Sequence, residues 1–412
     1  MIFMLDPGGI YPQNTTYYIS NPVIRIEEVK KNDESWGPDL KLTPLKSIYA
    51  NDFLVGINSN HEGYNMSGRH FELLKHHYNI ITCNVTYAGQ IAPPQKGGTY
   101  KFYTADRVVN TALRNNIPVH GHVLIWHDAP KWMTEGARSE VEENLKNHIT
   151  AVLNHYKGKI TSWDVVNEAI RHTVTASEAR GDWRRLVRSD NKQWDYDPWA
   201  GKLGADYIEI AFKAARAADL NITLYYNDYN LENPNRAEVV RKMIQDINDR
   251  YKRETGGTRN LIEGVGSQAH IYSLNPNMNE ARASLEKLIS LGIEVAITEF
   301  DIVGDTKGAE PRGHIDTVMP ERDQIAQALV YARFMNLYKE YSAHIKRVTF
   351  WDIDDNNSWY SALHPALFDW KLNPKQSFYA VSDPDGFLAR NGGKKKPCVI
   401  SLSNFFSKLI LA

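Results

Sequence analysis

The chain contains the stretches Trp163–Glu168, which reads Trp-Asp-Val-Val-Asn-Glu, and Val295–Asp301, which reads Val-Ala-Ile-Thr-Glu-Phe-Asp. Both are rich in β-branched residues, as expected of buried parallel strands. Each also carries a glutamate at or near its end. Six further runs of this kind alternate with helix-period segments, which predicts βαβ units and a parallel sheet. The eight predicted strands are Phe53–Ile57, Ile80–Val85, Val119–Trp126, Ile160–Glu168, Ile222–Asp228, Ile262–His270, Glu294–Asp301 and Arg347–Ile353. The predicted helices are Arg69–Tyr78, Thr104–Asn115, Glu140–Tyr156, Ala205–Ala218, Asn235–Glu254, Met278–Leu291 and Glu321–Tyr341.

Eight such repeats favour an α/β fold of the (β/α)8 TIM-barrel class over an open doubly wound sheet. No Gly-x-Gly-x-x-Gly turn follows the first strand, which counts against a dinucleotide-binding sheet. We expect a single catalytic barrel over residues 41–388, preceded at 1–40 by an extension that is either the remnant of a β-rich module or a strap across the barrel bottom. Residues 389–412 are expected to form a poorly ordered tail. Inserted loops at about 172–200 and 303–320 follow strands four and seven, on the face where barrels bind substrate.

The composition fits a soluble barrel with a sizeable core, at 412 residues, 42% hydrophobic and 24% charged. A net charge of −1 predicts no nucleic-acid or anionic-membrane partner, and no run approaches the ~18 apolar residues of a membrane span. The 10 tryptophans and 22 tyrosines suit a carbohydrate groove, although burial in the core is their default role. Only Cys83 and Cys398 are present, so a disulfide framework is excluded.

Glu168 and Glu299 end strands on opposite sides of the predicted ring. Two carboxylates that face one pocket suit glycoside hydrolysis, in which one protonates the leaving oxygen and the other attacks the anomeric carbon or activates water. The acid must be protonated and the nucleophile ionised, so their environments must differ. Either glutamate taken alone is equally well an ion-paired residue of the barrel rim.

Six strand-end segments occur together in one order along the chain. They are His120–His127, Trp163–Glu168, Tyr226–Asn230, Gly264–His270, Ile297–Asp301 and Phe350–Trp359. In this order, the segments resemble glycoside hydrolase family 10, the retaining endo-β-1,4-xylanases, over roughly Leu45 to Leu388. The resemblance implies hydrolysis of internal β-1,4-xylosidic bonds of xylan by double displacement, without a metal or organic cofactor. The implied partner is xylan or a xylo-oligosaccharide, and we expect a monomer.

Residue by residue, the resemblance makes Glu168 the general acid/base and Glu299 the nucleophile. His270 and Asp301 resemble a pair that orients the nucleophile. The residues that the resemblance places against substrate are Asn84, His122, Trp126, Asn167, Tyr229, Gln268, His270, Trp351 and Trp359.

Four of these residues have a specific expected position. Trp351 and Trp359 resemble a platform and lid over the cleaved sugar, and Tyr229 resembles an aglycone-side contact. Asn167 directly precedes Glu168, so its side chain reaches the same pocket only if the strand end is kinked. The alternatives are a core role for Trp351, as for Trp126, and a strand-end turn for Asn167.

The chain departs from the family after the second strand. Cys83 and Tyr87 stand about where the family carries a glutamate and a lysine, whereas Asn84 matches. The segment Trp126–Pro130 also lacks the family's glutamine. Because each hydrogen bond to a charged group is worth roughly 1.5–3 kcal/mol, binding of plain xylose on the non-reducing side should be weakened. We therefore expect an altered subsite that takes a decorated xylan or another β-glycoside, or reliance on the aglycone side.

The aromatic residues of the 172–200 loop are expected either to replace the missing contacts or to pack within the loop. They are Trp183, Trp194, Tyr196 and Trp199.

Two alternatives belong to other functional classes. In a metal-dependent, amidohydrolase-like barrel the ligands would be His61, His122, His127, His270 and Asp228. That site leaves the two glutamates without a role. A sugar-binding barrel that has lost catalysis is the second alternative, and the presence of both Glu168 and Glu299 argues against it.

The site of action is the last expectation from the sequence. A polymeric substrate predicts an extracellular enzyme. The segment Met1–Gly8, however, lacks the basic region and long apolar stretch of a secretory signal.

Overall fold

A computed structural model describes residues 37–60, 62–189, 196–303 and 319–392. Within these ranges the strands are β1 (Leu54–Asn58), β2 (Ile80–Cys83), β3 (Val119–Ile125), β4 (Ser162–Asn167), β5 (Thr223–Asp228), β6 (Gly264–Ser267), β7 (His270–Ile271), β8 (Glu294–Ile302) and β9 (Ile345–Phe350). The α-helices are α1 (Leu45–Ile48), α2 (Gly68–His77), α3 (Ala88–Ile91), α4 (Tyr103–Arg114), α5 (Lys131–Thr134), α6 (Arg138–Tyr156), α7 (Pro198–Leu203), α8 (Asp206–Ala218), α9 (Pro234–Thr255), α10 (Met278–Ile289), α11 (Glu321–Glu340), α12 (Gln376–Ser382) and α13 (Pro384–Asn391). Short 3₁₀ turns occur at Tyr64–Met66, Glu178–Arg180, Trp183–Leu186, Asp355–Asn357 and Ser361–Leu363.

Several sequence expectations lie outside the described residues. They are the extension before residue 37, the tail after residue 392, most of the 303–320 loop, His61, Trp194 and Cys398.

The strands close into a ring in which every pair is parallel. The order runs from β6 through β5, β4, β3, β2 and β1 to β9 and β8, and β8 pairs in turn with β6. β7 follows β6 after two residues and also pairs with β8, so β6 and β7 are two parts of one barrel strand. The predicted (β/α)8 barrel is thereby confirmed.

The local sequence explains most of these elements. All seven residues of β3 are buried, because barrel interior and helices cover both faces of a parallel strand. α9 begins where the Asn233 side chain accepts hydrogen bonds from two backbone amides and Pro234 occupies the first helical position, and it ends at Gly256 with φ 65°. The seven predicted helices are confirmed to within two residues at each end. Across the described ranges, no helix combines the length and apolar character needed to span a membrane.

Close packing inside the barrel leaves no space for a side chain at Gly121 of β3. A Cβ atom on Gly121 would lie 2.2 Å from the ring of Trp163, which is fully buried. We expect Gly121→Ala to lower the free energy of unfolding by about 1–3 kcal/mol, because the ring has no space to move into. The measurement is urea denaturation followed by tryptophan fluorescence.

The matched control is Gly257→Ala, whose new Cβ would only touch the Thr255 hydroxyl at 3.4 Å. Its unfolding free energy should stay within about 0.5 kcal/mol of the parent. Equal losses in the two variants would contradict the packing argument.

Candidate active site

Glu168 follows β4 directly and has a left-handed backbone, with φ 57°. This kink lets two consecutive side chains meet, since Asn167 Nδ2 donates to Glu168 Oε1 at 3.1 Å. Gln268 Nε2 donates to the same oxygen at 2.9 Å, and Trp126 Nε1 donates to Oε2 at 3.1 Å. Three predicted binding residues therefore surround one carboxylate, and the kink that Asn167 required is present.

Arg188, from the 172–200 loop, is a further partner of Glu168. Its Nη1 lies 3.4 Å from Glu168 Oε2 and 3.2 Å from the Glu168 carbonyl oxygen, and its side chain is 7% exposed. Burial raises the pKa of Glu168, but the hydrogen bond from Gln268 and the charge of Arg188 outweigh burial and hold the pKa below its ordinary value. The direction is opposite to the one expected for a group kept protonated near neutrality.

Glu299 lies in β8 and is 4% exposed. Its Oε1 accepts a hydrogen bond from Asn227 Nδ2 at 2.7 Å, and its Oε2 lies 3.1 Å from His270 Nε2. His270 Nδ1 is 2.9 Å from Asp301 Oδ1, and Asp301 Oδ2 accepts from Trp359 Nε1 at 2.8 Å. The structure thus places the predicted His270–Asp301 pair against Glu299, with Trp359 anchored to it.

Two histidines with raised pKa lie beside Glu299. Burial lowers the pKa of His270, but Asp301 and Glu299 outweigh burial and raise that pKa well above its ordinary value. Burial also opposes charge on His122, whose pKa is nevertheless raised by Asp164 and Glu299. His122 Nδ1 is 2.8 Å from Asp164 Oδ2, and its Nε2 is 3.9 Å from Glu299 Oε1.

Side-chain amides connect the two glutamates. Asn227 Nδ2, which donates to Glu299, also lies 2.9 Å from Asn167 Oδ1. Gln268 Nε2, which donates to Glu168, is 3.2 Å from the same Asn167 oxygen. A continuous chain of polar contacts therefore joins Glu168 to Glu299 at one barrel mouth.

The predicted tryptophans lie around this pair. The Trp351 ring is edge-on to His122 and His270, with centroid distances of 5.6 and 6.2 Å. The Trp359 ring is tilted against His270 at 4.6 Å. Trp351 is 9% exposed, so most of its surface is covered by its neighbours.

Sequence reasoning missed four residues of the site. Asn227 and Asp164 belong to quoted motifs, so their strand-end positions were an available signal. Arg188 and His172 lie in the inserted loop, which has no periodic pattern. His172 Nδ1 is 3.1 Å from the hydroxyl of Tyr229, the predicted aglycone-side contact.

Cys83 and Tyr87, the two predicted departures from the family after β2, are both buried. Cys83 is fully buried, and the Tyr87 ring meets Trp126 edge-on at 5.4 Å between centroids. The Tyr87 hydroxyl accepts a hydrogen bond from Gln90 Nε2 at 2.9 Å. Asn84 is 3% exposed, and its Oδ1 has no hydrogen-bond partner within the described ranges.

Two aromatic residues of the 172–200 loop serve packing. Trp183 is 5% exposed and donates to Asp246 Oδ2 at 3.0 Å, and Trp199 is fully buried and donates to the Trp126 carbonyl oxygen at 3.0 Å. Tyr196 is 41% exposed. The hypothesis that the loop's aromatic residues replace substrate contacts is therefore wrong for Trp183 and Trp199.

Three residues of the metal-site alternative are paired with other side chains. His122 and His270 pair with carboxylates that are themselves part of the site, and Asp228 forms a 2.6 Å ion pair with Arg236. Among the residues that the structure describes, no three His, Cys, Asp or Glu side chains gather as a metal site would require.

Comparison with known proteins places this site in one family. The family model for Glycosyl hydrolase family 10 matches residues 44–384. A β-1,4-xylanase of Dictyoglomus thermophilum is 32% identical over 83% of this chain and 91% of its own length. The exoglucanase XynX of Acetivibrio thermocellus is 30% identical over 93% of this chain, which spans only 32% of that protein.

Solved structures agree with the sequence comparison. A bacterial Ig-like-domain-containing family 10 xylanase from termite gut superposes with a TM-score of 0.76 and 33% identity, covering 86% of this chain and 80% of that one. An intracellular xylanase of Thermoanaerobacterium saccharolyticum was solved as an alanine variant with xylotetraose. It superposes with a TM-score of 0.69 and 28% identity, covering 83% of this chain and 99% of that one.

The Arg188–Glu168 contact predicts a pKa change. Replacing Arg188 by Gln removes a positive charge beside the carboxylate, so the pKa of Glu168 should rise. The measurement is NMR titration of ¹³C-labelled glutamate carboxyls. The control is Arg185→Gln, an exposed arginine of the same loop, which should leave this titration in place. An unchanged Glu168 titration in Arg188→Gln would show that the contact carries no electrostatic weight.

Proposed function

Because the chain belongs to glycosyl hydrolase family 10, we propose that it is an endo-1,4-β-xylanase that cleaves internal bonds of xylan with retention of configuration. The observation that carries the proposal is the pair of strand-end glutamates at one barrel mouth, each in a different polar environment. Relatives named as xylanases, one of them solved with xylotetraose, support xylan as the substrate.

The surroundings of the two carboxylates suit different steps. Glu299, which lies beside His122 and His270, acts as the nucleophile on the anomeric carbon. Glu168 gives its proton to the leaving oxygen and then, as a carboxylate, takes a proton from the water that hydrolyses the glycosyl-enzyme. Asn167 lies between them, in reach of a sugar hydroxyl on the reacting unit.

The lowered pKa of Glu168 sets the expected pH range. A proton donor must hold its proton at the working pH, so kcat/KM should decline as pH rises through the pKa of Glu168. Because Gln268 and Arg188 lower the pKa of Glu168, we expect the enzyme to work best on the acid side of neutrality.

Substitution of each glutamate separates the two roles. Glu299→Ala should abolish turnover of every substrate, whereas Glu168→Ala should lose about 10²–10⁴-fold on xylan and much less on aryl glycosides with good leaving groups. The measurement is kcat/KM on xylan and on a series of aryl xylobiosides, with the exposed Glu143→Ala as a control. Equal losses of the Glu168 variant on both substrate classes would rule out its role as the acid.

A retaining β-glycosidase that prefers decorated xylan is the second candidate. It is favoured by Cys83 and Tyr87, two buried side chains that carry no charge where the resemblance predicts a glutamate and a lysine. Product analysis should then show different cleavage positions on linear and on substituted xylo-oligosaccharides, with weak affinity for the linear ones. Identical patterns together with tight binding of linear substrate would exclude this candidate.

We also propose an exported monomer, because a polymer such as xylan is degraded outside the cell. The structural relative described as intracellular shows that the family does not fix the compartment. Gel filtration of the purified chain and fractionation of producing cells test the two parts separately.

A further inference from the structure

A line of polar side chains runs down the inside of the barrel, away from the catalytic mouth. His122 and His120 are two residues apart in β3, so their side chains point to the same strand face. Ser162 and Asp164 are related in the same way in β4. The register of the two strands places Asp164 beside His122 and Ser162 beside His120. The pair nearer the mouth lies next to the proposed nucleophile, since His122 Nε2 is 3.9 Å from Glu299 Oε1.

Asp164 is the centre of this line and is 1% exposed. Its Oδ2 lies 2.8 Å from His122 Nδ1 and 3.1 Å from His120 Nε2, the second contact without the alignment of a hydrogen bond. Burial raises the pKa of Asp164, but the two histidines outweigh burial and lower that pKa. The buried carboxylate is therefore compensated by one histidine towards the mouth and by another on the far side.

The two histidines differ in their tendency to carry charge. Burial and the neighbouring charge of Arg347 lower the pKa of His120 to about 4. The Arg347 guanidinium lies over the Tyr225 ring at 4.9 Å, and that ring is edge-on to His120 at 5.4 Å. Because β9 neighbours neither β3 nor β5, these contacts cross the barrel interior. Burial also lowers the pKa of His122, but the hydrogen bond with Asp164 outweighs burial and raises it. A positive charge is thus favoured at His122 and disfavoured at His120.

Ser162 ends the line, half-buried at the start of β4. Its hydroxyl oxygen lies 2.8 Å from His120 Nδ1. A carboxylate only accepts hydrogen bonds, so the single ring proton of an uncharged His120 is on Nε2 and faces Asp164. Nδ1 is then left to accept a hydrogen bond from the Ser162 hydroxyl. Ser162 therefore fixes both the tautomer and the ring orientation of His120.

From this arrangement we infer that His120 is a positioning residue for the reaction: it contacts Asp164 from the side away from the mouth, so that Asp164 holds the His122 ring beside the nucleophile. The inference rests on the proposed function, which makes Glu299 that nucleophile. His120 acts through Asp164 and His122. A histidine that only filled the barrel would leave the charge and orientation of His122 unaffected.

NMR titration of ¹⁵N-histidine-labelled protein tests the inference without substrate. His120→Leu removes the N–H group that faces Asp164, so the charge of Asp164 is less compensated and the pKa of His122 should rise. Glu299 and Glu168 also raise the pKa of His122, and both are unchanged in this variant. His120→Gln again offers an N–H donor and should restore the parent titration. Ser162→Ala, a milder change, should shift the titration in the same direction by less.

Catalysis gives a second readout. In His120→Leu, kcat/KM should fall about tenfold, because a displaced His122 ring no longer fits the reacting centre. The loss should be equal on xylan and on aryl xylobiosides, since His122 lies beside the nucleophile and not beside the proton donor of the leaving group. His120→Gln should recover most of the activity.

The matched control is His148→Leu. His148 is also buried, its pKa is lowered to about 4 by burial, and its Nε2 lies 3.0 Å from the Leu124 carbonyl oxygen. This variant should leave the His122 titration in place, and thermal unfolding checks that every variant folds. An unchanged His122 titration in His120→Leu and Ser162→Ala, or an equal shift in His148→Leu, would overturn the inference. Failure of the parent protein to hydrolyse any xylan would instead overturn the proposed function, since the titration needs no turnover.

Discussion

Two carboxylates at one barrel mouth, Glu299 buried and Glu168 half-buried, are the constraint on which the rest of the site depends. Each buried charge costs several kcal/mol unless neighbouring charges and hydrogen bonds compensate it. Glu168 is compensated by Gln268 and Arg188, and Glu299 by Asn227 and His270. These partners come from separate loops and strands, so the charges hold the catalytic face together. Because their partners differ, the two carboxylates have different electrostatic environments.

The backbone at the strand ends makes this compensation geometrically possible. In a regular strand, consecutive side chains point to opposite faces. The left-handed residues Glu168, with φ 57°, and Ala269, with φ 59°, break this alternation. Each such conformation costs about 1–3 kcal/mol for a residue other than glycine, and surrounding structure must impose it. As a result, Asn167 and Glu168 share one pocket.

The loops give the barrel its individual chemistry. The insertion after β4 brings Arg188 to Glu168, and the Trp199 indole of the same insertion donates to the Trp126 carbonyl oxygen. The loop after β2 packs Tyr87 edge-on against Trp126. Loops on a rigid scaffold change specificity without changing the fold, because the strands keep the carboxylates in place.

The sequence by itself determined the eight strands, the long helices and the two strand-end glutamates, because periodicity and the order of motifs are local signals. Only the tertiary structure decided that Arg188 lowers the pKa of Glu168, that Asn227 links to Asn167, and that Trp199 turns inward. These outcomes depend on distances between residues far apart in the chain. Loop conformation fixes those distances, and no local pattern encodes it.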